Sequence, residues 1–323
     1  MTVYVGSYGS GITVFARDGA RLRQTGELST VDPSFLVADP ARRLLFAVNE
    51  VDEGGVSSYA VGADGVPRLL SSQATGGALP CHLTLHKGHV IAANYGSGSV
   101  SVHPVLPDGR LGERTDLVQH HGHGPRTDRQ EGPHAHQAHV DGDRVTVVDL
   151  GLDRLCHYRL EATTGRLAAT GETVVRPGAG PRHVVVHGSG WWYGSNELGS
   201  TVAVYRGDPP AEVATVPAST VEGHNQPSGI ALRGDLLYVG NRGADTIAVF
   251  ALGPDGEPRP VGEVGTGGHW PRHFAFVDDL LFVANERSGS VVAFRLDPAT
   301  GLPEPTGDVV EIERPACVLI TPD

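Results

Sequence analysis

The chain has 323 residues, 39% of them hydrophobic and 19% charged, which excludes a disordered or coiled-coil protein and leaves ample length for a large core. Its 44 glycines and 23 prolines follow no Gly-X-Y period, which excludes collagen and points to many short strands joined by tight turns. A formal net charge of −12 argues against nucleic acid or an anionic membrane surface as partner.

The chain opens on Met1-Thr2-Val3-Tyr4-Val5-Gly6, with no basic stretch followed by an apolar run, so no secretory signal is read. No segment approaches 18 continuous apolar residues, so no membrane helix is predicted. Cys81, Cys156 and Cys317 cannot all pair and none lies in a Cys-x-x-Cys; they read as reduced, buried thiols of a cytoplasmic protein. The first predicted strands are Val3 to Ser7 and Ile12 to Phe15. From there a proline recurs before a short apolar strand, at Pro33, Pro80, Pro133, Pro181, Pro227, Pro271 and Pro315. The spacings are 47, 53, 48, 46, 44 and 44 residues. A second mark follows each of the first six prolines by 14 to 16 residues: a β-rich run ending in Asn49, Asn94, Asp149, Asn196, Asn241 or Asn285. Alternating strands such as Ser99-Val100-Ser101-Val102 and Thr246-Ile247-Ala248-Val249-Phe250 come next, and in most units a fourth follows a turn such as Pro107-Asp108-Gly109.

Each unit of about 45 residues is thus a four-stranded antiparallel meander, the size of a propeller blade. The seventh proline opens a strand from Ala316 to Thr321, and the N-terminus starts in mid-unit. The fold predicted is all-β: one domain, residues 1–323, forming a seven-bladed propeller whose ring closes by the C-terminal strand joining the N-terminal strands. The alternatives, an open β-solenoid or two sandwiches, leave unpaired edges that this closure removes.

In such a blade the first strand lines the central channel, and the end of the second strand lies beside its start. Both marks from every blade are therefore expected around one channel mouth. The first strands would bring His82, His134, His136, Arg182, His183, Arg272 and His273. The second strands would bring Glu50, Tyr95, Asp149, Glu197, Arg242 and Glu286. The recurring asparagines read as structural, since their side chains bond nearby backbone at strand ends. Residues 118–133 form the one irregular insertion, carrying His120, His121, His123, Arg126 and Arg129. It is expected to border the mouth as a lid or phosphate-binding loop, with a metal site as the rival reading.

Gln130-Glu131-Gly132-Pro133-His134-Ala135-His136, Asp149-Leu150-Gly151-Leu152-Asp153, Gly180-Pro181-Arg182-His183, Asn196-Glu197-Leu198 and Asn241-Arg242-Gly243 resemble, in order, the motif set of the seven-bladed propeller lactonase family. That family includes bacterial 6-phosphogluconolactonases and fungal carboxy-muconate cyclases. The resemblance covers essentially the whole chain. It implies a lactone hydrolase, with 6-phospho-D-glucono-1,5-lactone as substrate in the pentose phosphate pathway. The residues it brings to catalysis are His134, Arg182, Glu197 and Arg242, His136 standing two residues from the first. His82, Tyr95, His136, His183, Arg272 and Glu286 are expected around the substrate.

The chemistry fits these residue types. Hydrolysis needs a base for water, for which Glu197 or His134 is the candidate. It also needs charge on the carbonyl oxygen, for which Arg182 and Arg242 are suited. No Gly-x-Ser-x-Gly elbow is present, so direct attack by water is expected rather than an acyl-enzyme. No cofactor and no metal is expected. The expected partner is the small anionic lactone that the resemblance implies, and a monomer or weak homo-oligomer is expected. The competing readings are a cyclase or hydrolase of a carboxy-muconate-type or other sugar lactone, and a non-catalytic ligand-binding propeller. Beside their catalytic roles, Arg182 and Glu197 have a structural reading as a buried inter-blade ion pair.

Overall fold

A computed structural model describes residues 1–322. Among these, 28 strands form seven four-stranded antiparallel sheets, and the sole helical element is the 3-10 turn Pro40–Arg42. In ring order the blades are residues 36–74 (blade 1), 80–119 (2), 135–174 (3), 181–217 (4), 226–265 (5) and 271–311 (6). Blade 7 combines the strand Pro315–Thr321 with Thr2–Ser7, Gly11–Asp18 and Arg21–Leu28. Thr2 pairs with Thr321 and Gly6 with Cys317, so the two ends of the chain close one sheet, as the sequence predicts. No helix among the described residues is long and apolar enough to cross a membrane.

Strand composition follows position in the blade. The second strands are sandwiched between neighbouring blades and read as continuous apolar runs, such as Leu280–Asn285, buried throughout. The outermost strands alternate, as in Pro303–Glu311, because one face meets water. The core is a set of inter-blade clusters. Leu44, Phe46 and Val48 of blade 1 pack on Leu83, Val90 and Ala92 of blade 2. Val3, Val5 and Phe15 of blade 7 pack on Phe282, Ala284 and Val291 of blade 6, so apolar packing continues across the ring closure. Each such large side chain contributes about 1.5–3 kcal/mol by leaving water.

The asparagines do structural work, as the sequence suggests. Asn49 donates to Val31 O (2.7 Å), Asn241 to Ala218 O (2.8 Å) and Asn285 to Thr266 O (3.1 Å), stitching each strand end to the preceding segment. Asp149 does this work in blade 3, where its Oδ1 accepts from His134 N (2.8 Å) and Leu152 N (3.0 Å).

One detail of register positions the site. In six blades the pairing of the first and second strands slips beside the motif: between Pro80 and His82, Ala135 and Gln137, Pro181 and His183, Pro227 and Ile230, Pro271 and His273, and Pro315 and Cys317. In five of them the bulged residue is single: Cys81, His136, Arg182, Arg272 or Ala316. A bulge re-aims the side chain it carries. Pro133 is not the structural counterpart of the other prolines. The strand starts at Ala135, which pairs with Asp149 as Pro181 pairs with Asn196. His136, not His134, therefore occupies the position held by Arg182 and Arg272. The insertion also starts later than its composition indicates, since Val118 lies inside the strand Asp116–Gln119.

Candidate functional site

The bulged residues Cys81, His136 and Arg272 and the second-strand ends meet around a cavity of about 400 Å³ at the channel mouth. Its wall includes Tyr8, Glu50, Tyr95, Arg129, His136, Glu197, Arg242, Arg272 and Glu286. Of the residues expected to touch substrate, Tyr95, His136, Glu197, Arg242, Arg272 and Glu286 are in this wall. Arg182 lies behind it, 3% exposed, against Glu197. His82 and His183 are buried in an aromatic chain with His136: ring centroids are 5.1 Å apart for His136–His183 and 5.4 Å for His82–His183.

Two charge clusters divide the wall. In the first, Glu197 is gripped by three guanidinium groups. Arg129 donates to Oε1 at 2.6 Å and Arg242 to Oε2 at 2.6 Å, and Arg182 Nε stands 3.3 Å from Oε2. Arg182 and Glu197 share blade 4, so that contact lies within one blade, while the pair with Arg242 of blade 5 crosses between blades. Burial acts to raise the Glu197 pKa, but Arg242, Arg182 and Arg129 hold it well below the usual carboxylate range. Three guanidinium groups against one carboxylate leave a surplus of two positive charges beside an open cavity. In the second cluster Arg272 donates to the Tyr8 hydroxyl and pairs with Glu286 (3.5 Å) and Glu50 (3.7 Å). Tyr8 donates to Glu50 at 2.8 Å, and Arg314 stands 3.6 Å from Glu286. Two arginines face two glutamates here, so this side of the cavity is balanced.

His134 supports the wall from behind. Its ring stacks on Tyr95 (centroids 4.5 Å apart), its Nδ1 bonds Tyr95 O at 2.9 Å, and its Nε2 is 3.2 Å from Glu131. The cavity side is taken by His136, whose buried Nδ1 has no hydrogen-bond partner. Burial, then Arg182, holds the His136 pKa well below that of free histidine, so its imidazole is neutral.

The insertion reaches the mouth. Gln130 is fully buried and donates to Leu150 O (2.8 Å), while the Arg126 amide donates to its Oε1 (3.2 Å). This tight turn hangs Arg129 over Glu197. The histidines of the insertion do not converge: His120 is buried between Asp149 (2.6 Å) and the Tyr158 hydroxyl (2.9 Å), whereas His121 and His123 are exposed. Among the described residues no three metal-ligating side chains gather. A larger hollow, about 470 Å³ around Tyr4 and Gly65, lies at the opposite end of the blades. Its charged groups Arg43 and Asp64 bond Val61 O and Arg68.

Sequence reasoning missed three charged or hydroxyl-bearing members of the wall, Arg129, Tyr8 and Arg314. Arg129 was visible only as part of a lid, because nothing local says which of the lid's arginines turns inward. Tyr8 follows Ser7 at the end of blade 7's second strand, the place Glu50 holds after Asn49. Aligning the N-terminal part-blade on the other six would find it.

Arg182 offers a test of which role dominates. Burial first, then the neighbouring Arg242 and Arg272, lower its pKa to about 9, so the fold carries its charge at a cost. Arg182→Met is expected to keep its thermal midpoint or raise it, because Glu197 retains two arginines, while turnover falls about 100-fold. A midpoint lower by more than about 5 °C in a melting scan would identify the pair as structural.

The family described as "Lactonase, 7-bladed beta-propeller" matches residues 2–320. The 6-phosphogluconolactonase of Bacillus subtilis is 33% identical over 305 residues, covering 89% of this chain and 86% of that protein. A crystal structure of a candidate 6-phosphogluconolactonase from Bacteroides fragilis superposes with a TM-score of 0.93 at 30% identity, covering 98% of this chain and 97% of that one. The periplasmic gluconolactonase of Pseudomonas aeruginosa superposes at 0.90 with 29% identity and 98% coverage of both chains.

Proposed function

The chain belongs to the seven-bladed β-propeller lactonase family, and from that premise we propose that it hydrolyses 6-phospho-D-glucono-1,5-lactone to 6-phosphogluconate, the lactonase step of the pentose phosphate pathway. The observation that carries the phosphorylated substrate is the surplus of two positive charges around Glu197, which matches a phosphate dianion. A neutral sugar lactone would leave that surplus uncompensated.

The lactone ring lies in the central cavity with its carbonyl oxygen toward Arg242. Water attacks the carbonyl carbon and its proton passes to Glu197. Charge develops on the carbonyl oxygen, and Arg242 stabilises it from a fixed position, being held by Gln226 O (3.2 Å) and Trp270 (5.5 Å to the ring centroid). The intermediate collapses by breaking the bond from the carbonyl carbon to the ring oxygen. The ring oxygen takes the proton back from Glu197, and the new carboxylic acid ionises to solvent, releasing one proton per turnover. Arg182, behind the wall, holds Glu197 in place. His136 beneath it is a neutral hydrogen-bonding group for a sugar hydroxyl. Each ring contains a whole site, which supports a monomer or weak homo-oligomer. Three buried, unpaired cysteines support a cytoplasmic location.

A pH-stat assay comparing freshly prepared 6-phosphogluconolactone with unphosphorylated gluconolactone tests the reading. The expected outcome is acid release well above the spontaneous rate, faster on the phosphorylated lactone. Rates at the spontaneous level on both would refute it.

A further inference from the structure

The three guanidinium groups on Glu197 are not equivalent. The Arg182 and Arg242 side chains are 4% and 6% exposed, and both address Oε2. The Arg129 side chain is 32% exposed and addresses Oε1, its Nη2 also reaching the Tyr95 hydroxyl at 3.2 Å. Arg129 is carried by the insertion rather than by a blade. It forms a partition between two hollows. One is the central cavity. The other is an outer groove of about 370 Å³ between the insertion and residues 223–226, where Arg126, its partner Asp128 (3.7 Å), Ser200 and His224 join Arg129 and Glu197 in the wall.

Oε1 of Glu197 is therefore covered by a cation that solvent can reach, whereas Oε2 is held by two that it cannot. A carboxylate in this grip is a poor base, as its depressed pKa reflects. An incoming dianion meets Arg129 first and offers it three oxygens in place of one. We propose that the phosphate of the substrate, seated in the outer groove, draws Arg129 off Glu197, so that Oε1 is freed to accept the proton of water only when a phosphorylated lactone is bound. Arg129 is then a positioning residue that couples recognition of a remote phosphate to the basicity of Glu197. Binding energy far from the reacting carbonyl appears in kcat and not only in KM. The inference rests on the lactonase reading and adds the origin of its preference for a phosphorylated substrate.

The test divides the substrate into two pieces. Wild-type protein hydrolyses unphosphorylated gluconolactone with and without inorganic phosphite, the spontaneous and phosphite-catalysed rates being subtracted. Phosphite is expected to raise kcat about tenfold with little change in KM. In Arg129→Ala the basal kcat on this lactone is expected to rise, and the response to phosphite to vanish. The wild-type response needs no variant, so it stands even if the substitution unfolds the protein. Hydrolysis by the wild type without a phosphite effect on kcat would overturn the release mechanism alone and leave Arg129 an ordinary anion ligand. Failure of the wild type to hydrolyse either lactone would overturn the lactonase reading, and this inference with it.

Discussion

Glu197→Gln is expected to lower kcat on the phosphorylated lactone by about 1,000-fold or more, within the range for loss of a general base. It is also expected to lower the thermal midpoint. The two losses have separate causes. Activity falls because a neutral amide cannot take a proton from water. Stability falls because Arg129, Arg182 and Arg242 lose the one carboxylate they share, and breaking a buried pair by removing one partner costs about 3–5 kcal/mol. Excess inorganic phosphate should restore part of the midpoint by supplying the missing negative charge, and none of the activity. The assay is run below the variant's own midpoint. If kcat stays within tenfold of wild type there, Glu197 is a structural counter-ion and the base must be sought elsewhere, with His136 next in the wall.

Acid should unfold this protein near pH 5, earlier than carboxylate titration alone would. Besides His136 and His183, which burial also holds well below the usual histidine range, four histidines are held neutral. Burial, then the facing His139, His273 and Arg182, lowers His82 to about 3. Burial lowers His103 to about 4, the Gly112 backbone opposing and Arg114 assisting, and neither of its ring nitrogens makes a well-formed hydrogen bond. Burial lowers His157 to about 4, with Arg144 assisting, between Thr146 (3.0 Å) and Thr173 (2.9 Å). Burial, then Arg182 and Arg272, lowers His273 to about 4.

In every case the unfolded chain takes up the proton first. Stability is therefore full above about pH 6.5 and is lost as pH falls toward about 4. Within that window each histidine costs up to about 1.4 kcal/mol per pH unit. Four together exhaust a typical total of about 5–15 kcal/mol within one to three units. His103→Leu, which removes the histidine without a well-formed hydrogen bond, should flatten the dependence of unfolding free energy on pH and move the acid midpoint down. An acid midpoint below pH 4 in the wild type would show that carboxylates set the limit instead.

The blade count, the ring closure and the face on which the candidate residues gather were legible in the sequence. Period, turn residues and strand alternation are local properties, and each blade repeats them. Antiparallel pairing then compels the start of one strand and the end of the next to share an edge, which gathers Glu197, Arg242, Arg272 and Tyr95 at one mouth without any knowledge of contacts. Register at the bulges was not legible. Pro133-His134-Ala135-His136 offers two histidines, and aligning on the proline favours His134. Only the pairing of Ala135 with Asp149 shows that His136 is the counterpart of Arg182.

The sequence by itself determined a closed seven-bladed ring with an arginine-, histidine- and glutamate-rich mouth, because repetition and alternation are written residue by residue. Tertiary structure alone decided how those charges divide. It placed Arg129, Arg182 and Arg242 on Glu197, and set Arg272 and Arg314 against Glu50 and Glu286. The physical reason is that each charged side chain at the mouth has several partners of opposite sign within reach. Which of them it takes is fixed by distances of a few ångströms between blades far apart in sequence, and those distances exist only once the ring has closed.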